Sequence, residues 1–487
     1  MPEWFQKLLP ILILLAAVAL VLYKLPKVEL GHSPAFKRRR FFNWFPLGLT
    51  YAFLYMGRYN LNVATSSLGD LTSNADFGTI FAWGTVTYAF AFLVNGPLAD
   101  RLGGRTTILL AAAGAATANI GMGVVVWAVT QKGWMPPGGI VGTLSVLYAI
   151  NMYFQSFGAV SIVKVNSSWF HVRERGVLGG VFGILISLGL YFAYDWSRII
   201  VNVAPVEWVF FIPAAVLITF FVIEFLLVRD TPGQAGFQDF DTADASSGDT
   251  GPQASLFVVA KRMLTNPVML VILGVEFCSG FLRNAVMQWY PKLARATGET
   301  FVSENWGVLL CVAGITGGMF AGVISDRVFD SRRGPVSAVL YGGMTLGCVV
   351  AIALIGLPAW LGWAVVFMSL CVIGVHGMLS GTATMDFGGR KNAGLAVGIV
   401  DGAVYLGTAV QSVLLGNLLP SGDAAADLSN WSMWPWLMLP FCVLGLILAT
   451  RVWNARASDK AHKPTALPQP VVAGGQAGPG AGTGTGG

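Results

Sequence analysis

Twelve apolar runs of bilayer-crossing length recur along the chain, at residues 43–65, 78–99, 106–128, 139–164, 176–198, 207–228, 268–290, 305–325, 335–356, 360–385, 393–416 and 434–453. A hydrocarbon core about 30 Å thick needs about 20 helical residues to cross it. In lipid only helices and closed barrels satisfy their own backbone polar groups, and these runs lack the period-two alternation of barrel strands. The chain therefore reads as an all-α polytopic membrane protein. Only 11% of its residues are charged and 55% are hydrophobic, where a soluble domain has about 25% charged residues. A soluble enzyme's mixed surface does not fit.

A further run, LLPILILLAAVALVLY at 8–23, precedes the twelve. It has Lys7 before it and no convincing small-x-small cleavage site, so we read it as a retained extra helix that places the N-terminus outside. A helix lying on the membrane surface and a cleaved signal remain the alternatives.

The net charge of +6 reports topology, not a nucleic-acid partner. Basic residues cluster in short loops at every second turn of the chain: Lys37 to Arg40, Arg101 and Arg105, Arg173 and Arg175, Lys261 and Arg262, Arg327 with Arg332 and Arg333, then Arg390 and Lys391. This is the positive-inside pattern. It divides the chain into an N-terminal hydrophobic helix (1–36), a six-helix bundle (37–228), a polar cytoplasmic linker (229–265), a second six-helix bundle (266–453) and a disordered cytoplasmic tail (454–487). The five cysteines, Cys278, Cys311, Cys348, Cys371 and Cys442, all fall in apolar runs without ligand spacing. They read as core residues, and neither a disulfide framework, a metal site nor a cofactor is implied. The glycines of GVLGGVFG (176–183) and GITGGMFAG (314–322) follow no strand and carry no P-loop lysine, so close helix packing explains them better than nucleotide binding.

The loop GPLADRLGGR (96–105) follows the second main helix and GVISDRVFDSRRG (322–334) follows the eighth. In a six-plus-six arrangement these positions are equivalent, which marks an internal repeat. Asp100, Arg101 and Arg105 in the first, with Asp326, Arg327 and Arg333 in the second, are candidates for a cytoplasmic gate.

The same equivalence joins two buried charges. Arg58 is the sixteenth residue of the first run and Arg283 the sixteenth of the seventh. An intramembrane charge is costly and faces protein or a water-filled space. Two guanidiniums near one midplane repel each other unless an anion lies between them, and a phosphate suits their planar, bidentate donors. The other reading pairs each arginine with a carboxylate of its own bundle, Glu276 being the candidate for Arg283. Tyr51, Tyr55, Tyr59 and Asn62 share roughly the Arg58 face, and Asn284, Gln288 and Trp289 accompany Arg283, as candidate substrate contacts or as core. Asp195 and Asp386 are polar groups near spans, while Glu276, His376 and Asp401 are candidates for coupling or ion pairing. No metal cluster or nucleophile-base arrangement suggests an enzyme.

Taken together, these features resemble a major facilitator superfamily transporter, and more narrowly the organophosphate:inorganic phosphate antiporters. That family includes bacterial glycerol-3-phosphate and hexose-6-phosphate transporters and the sugar-phosphate exchangers of the endoplasmic reticulum. The two Asp-Arg loops carry the superfamily likeness. FLRNAVMQWYPKL (281–293), WFHVRERG (169–176), VRDTPGQAG (228–236) and NAGLAVGIVDGAVYLG (392–407) carry the narrower one. The resemblance implies the major facilitator fold, two six-helix bundles with pseudo-twofold symmetry. It also implies exchange of an organophosphate against inorganic phosphate by alternating access, with Arg58 and Arg283 as phosphate-binding residues. A monomer in the bacterial inner membrane, with a phosphorylated small molecule, inorganic phosphate and lipids as its partners, is the matching expectation. A transporter-like receptor sensing a phosphorylated metabolite is the alternative. The chain departs from the bacterial glycerol-phosphate type at Tyr59 and Phe92, where that type has lysines, and at Ile186, where it has a histidine.

Overall fold

The computed structural model describes residues 3–24, 30–240, 242, 256–329, 333–379 and 393–454. The expected tail disorder and residues 241 and 243–255 of the expected linker lie outside these residues. The described chain is helical throughout its ordered elements. Before the linker come α1 (Glu3–Lys24), α2 (Pro34–Ser67), α3 (Asn74–Leu102), α4 (Gly104–Lys132), α5 (Gly139–Trp169), α6 (Val172–Tyr191), α7 (Ser197–Val203) and α8 (Trp208–Leu227). After it come α9 (Leu256–Leu264), α10 (Pro267–Thr297), α11 (Phe301–Glu304), α12 (Trp306–Val328), α13 (Arg333–Ala353), α14 (Pro358–Met378), α15 (Ala393–Leu418) and α16 (Met433–Arg451).

Polar residues set several helix starts by satisfying free N–H groups. Ser33 accepts from the Phe36 N–H at 3.2 Å ahead of Pro34, Ser73 and Asp76 form a capping box before α3, and the Asn266 side chain caps α10. A π-helical turn, Phe192–Trp196, joins α6 to α7.

Among the described residues, eleven helical stretches are long and apolar enough to cross a bilayer. The run at 43–65 is not among them, although the 34 residues of α2 measure about 51 Å at about 1.5 Å per residue. Its length meets the expectation and its polarity does not. Asn43, Thr50, Arg58, Asn60, Asn62 and Thr65 are all buried, because α2 packs against α5, α6 and α8 and turns these groups toward protein. The run at 8–23 lies in α1, where Leu14 packs with Ile184 of α6 and with Val308, Cys311 and Ile315 of α12. The five cysteines are buried and free.

Glycine permits the tightest crossing. A Cβ on Gly280 of α10 would stand 1.9 Å from the Val404 carbonyl oxygen of α15, and one on Gly407 would meet the Phe277 oxygen at 2.0 Å. Backbone contact of this kind is how helices associate where lipid supplies no hydrophobic drive.

On the face away from the linker, helices from before and after it are tied together. Asn62 Nδ2 donates to the backbone carbonyl oxygen of Gln288 at 2.8 Å, Lys292 Nζ to Ser66 Oγ at 3.2 Å and Arg295 Nη1 to Ser67 Oγ at 3.1 Å. Asp195 accepts from the backbone N–H groups of Gly307 and Val308 at 2.8 and 2.9 Å, and Arg198 pairs with Glu299. That face is closed.

On the linker side, Asn43 and Arg229 exchange two hydrogen bonds, of 3.2 and 2.8 Å, and Arg40 pairs with Glu174 at 2.9 Å. Of the residues proposed for a gate, Arg101 and Arg327 are exposed, and the side chains of Asp100, Asp326 and Arg333 lie outside the described set. Asp230 Oδ1 of the linker accepts the Arg105 backbone N–H at 2.8 Å, and Arg105 Nη2 donates to the Phe225 backbone oxygen at 2.6 Å. Asp386 lies outside the described residues.

Candidate functional site

Arg58 is fully buried, and three helices supply its acceptors. Nε donates to Gln155 Oε1 of α5 at 2.9 Å, Nη2 to the Tyr88 hydroxyl of α3 at 3.1 Å and Nη1 to the Tyr405 hydroxyl of α15 at 2.8 Å. Its carbon Cζ also stands 4.7 Å from the Tyr55 ring centroid and 4.5 Å from that of Tyr88. All these partners are neutral, and the Tyr59 hydroxyl is a further hydrogen-bond partner of the guanidinium.

The fork is held in place from behind. Gln155 Nε2 donates to Asn151 Oδ1 at 3.0 Å, Asn119 donates to the same Asn151 oxygen at 3.2 Å, and Asn60 donates to Asn119 Oδ1 at 3.0 Å. Tyr148 donates to the Arg58 carbonyl oxygen at 3.1 Å. This buried amide chain crosses α2, α4 and α5, and every side-chain polar atom in it but Asn60 Oδ1 has a partner.

Arg283 approaches from α10. It is 7% exposed, its Cζ lies 6.0 Å from the Tyr405 ring centroid, and its buried Nε has no acceptor. Tyr405 thus stands against both guanidiniums, taking a hydrogen bond from one and facing the other with its ring. Glu276 makes no ion pair with Arg283. Its Oε2 instead lies 3.4 Å from His376 Nδ1 of α14.

The remaining candidates divide. Tyr51, Tyr55 and Tyr59 form a ladder along α2 toward Arg58, with successive ring centroids 5.4 and 5.8 Å apart. Asn284 donates to Thr408 Oγ1 at 2.9 Å, while its Oδ1, both amide atoms of Gln288 and Trp289 Nε1 are buried without partners. Asn62 is occupied in the closure described above. Tyr88, Tyr405 and Gln155 were not singled out from the sequence. Tyr405 lies within the quoted stretch 392–407, and Tyr88 one helical turn before the noted Phe92, but each alone resembles an aromatic core residue.

A family model described as the Major Facilitator Superfamily matches residues 47–412. The chain is 25% identical over 444 residues to the glycerol-3-phosphate transporter of Bacillus subtilis (strain 168), covering 86% of this chain and 94% of that one. It is 23% identical over 447 residues to the membrane sensor protein UhpC of Salmonella typhimurium, covering 85% and 92%. Among solved structures it superposes, with a TM-score of 0.66 and 14% identity, on a bacterial homologue of the human lysosomal transporter Spinster in an inward-facing, unoccupied conformation, covering 87% of this chain and 98% of that one. That likeness shows the fold.

Proposed function

The chain belongs to the Major Facilitator Superfamily, and from that premise we propose that it exchanges a phosphorylated small molecule for inorganic phosphate by alternating access. It is a secondary transporter related to sugar-phosphate and glycerol-phosphate transporters. The observation that carries the finer reading is the convergence of Arg58 and Arg283 on Tyr405, with Arg283 Nε buried and lacking an acceptor. A phosphate oxygen supplies that acceptor and reaches both guanidiniums.

The phosphate group bridges an arginine from before the linker and one from after it. Such a bridge stabilises the arrangement in which the two sides are closed around it more than either open form, which is what a ligand must do to shift a conformational equilibrium. The tyrosine ladder on α2 and the unpartnered polar atoms of Asn284 and Gln288 offer contacts to the organic part of the ligand. Tyr59 stands where the bacterial glycerol-phosphate type has a lysine, so both sugar phosphates and glycerol phosphate are candidate substrates for the assay.

Reconstitution into liposomes loaded with radiolabelled phosphate tests this. Efflux is expected only when an external organophosphate is supplied, and Arg58→Lys and Arg283→Lys are each expected to abolish it, because lysine keeps the charge and loses the fork. Near-normal exchange in both variants refutes the reading. The likeness to a sensor protein gives the second reading its weight, and ligand binding without counterflow would favour it.

A further inference from the structure

The arginines are not the only charges at the centre. Glu276, seven residues before Arg283, is fully buried. Its Oε2 meets His376 at 3.4 Å and its Oε1 has no partner. Asp401, four residues before Tyr405 on α15, has an enclosed Oδ1 that is also unpartnered, and it interacts electrostatically with His376, Glu276 and Arg283. Tyr341 of α13 faces the same region, its hydroxyl donating to the Val275 oxygen at 2.6 Å. From α16, also packed on α10, no Asp, Glu, His or Lys is available. Lys261 of α9, near the first turn of α10, is exposed. Arg58, by contrast, has only neutral partners.

When both carboxyl groups are ionised, as at the alkaline pH of the test below, they balance the two guanidiniums of Arg58 and Arg283. A phosphate ester brings about two negative charges at neutral pH. Placed between the arginines, it leaves the enclosed centre with excess negative charge, and a buried carboxylate relieves such an excess by taking a proton. We propose that Glu276, His376 and Asp401 form a proton-binding site that fills together with the phosphate anion. The proton comes from solvent, is shared within the cluster, and leaves when the anion leaves; its titration belongs to the group and not to one residue. Each half of the exchange then carries a proton with its anion, so a one-for-one exchange of two dianions moves no net proton. This inference rests on the arginine anion site proposed above.

Calorimetric titration of the full chain in lipid nanodiscs with inorganic phosphate tests it, in two buffers of different protonation enthalpy. The pH is set well above the second pKa of phosphate, so the free ligand is already the dianion and contributes no proton change of its own. The expected result is uptake of about one proton per phosphate, with Kd rising about tenfold for each unit of pH. Glu276→Gln and Asp401→Asn are each expected to lower that uptake. Binding with no buffer dependence in the unmodified chain overturns the proton site and leaves the arginine reading intact. Uptake unchanged in both variants overturns the assignment to this cluster. Absence of phosphate binding at neutral pH as well overturns the arginine reading and this inference with it.

Discussion

Asp195→Asn is expected to open the face that the structure shows closed. Asp195 sits in the π-helical turn Phe192–Trp196, a local widening that recurs at functional positions. Its carboxylate oxygens accept from Gly307 and Val308 at 2.8 and 2.9 Å. These N–H groups belong to the first turn of α12, where no intrahelical acceptor exists and the helix dipole is positive. The acid precedes the linker and the helix start follows it, so the cap exists only while the two sides are together. Asparagine keeps the shape, removes the charge and turns one acceptor into a donor. A hydrogen bond to a charged group contributes about 1.5–3 kcal/mol, and charge at a helix end about 0.3–1 kcal/mol. With part of each lost, the closed arrangement weakens by roughly 2–3 kcal/mol, and the closed-to-open ratio falls by about 30- to 150-fold. Spin labels at the exposed Asp70 and Asp423, read by pulsed electron paramagnetic resonance in nanodiscs, report the separation across this face. The variant should populate a longer distance that the unmodified chain does not. An unchanged distance distribution in a folded variant would refute the capping argument.

Two further substitutions probe the centre and the packing. Gln155→Leu leaves Arg58 Nε buried without its 2.9 Å acceptor and frees the fork to rotate, so the KM for phosphate exchange should rise by about tenfold or more, corresponding to about 1.5 kcal/mol of positioning; an unchanged KM would show that the amide chain does not orient the guanidinium. Gly280→Ala places a methyl 1.9 Å from a backbone oxygen, an overpacking that costs about 1–3 kcal/mol or more and should lower the melting temperature. Gly318→Ala, where a Cβ meets nothing within 4 Å, is the control and should leave it unchanged.

Most of the architecture was legible in the sequence because hydrocarbon thickness imposes a fixed run length, and α3, α4 and α8 carry it plainly. The charges on α2 and α10 were legible for the converse reason, since an arginine in such a run is expensive enough to need a cause. Partners across the interior were not legible. Helical spacing relates Glu276 to Arg283 on one face of one helix, yet the structure pairs Glu276 with His376, 100 residues away. In the same way Arg58 finds Tyr405 across 347 residues, a separation at which periodicity holds no information. Asp230 looked like linker composition because the helix start it caps lies 125 residues earlier.

The seat of α1 bears on the lipids more than on the ligand. Through Leu14 it touches α6 on one side and α12 on the other, the same two helices that meet near Asp195. Any movement that parts them opens a sideways slot into which acyl chains could slip. On the expectation that α1 spans the bilayer, it fills that slot as a built-in annular lipid, with a length and shape that do not vary with the membrane. Acyl tails are as apolar as leucine and can take its place at little cost in free energy, so a chain shortened by α1 would keep its fold while its rate of opening came to depend on the length and saturation of the surrounding lipids.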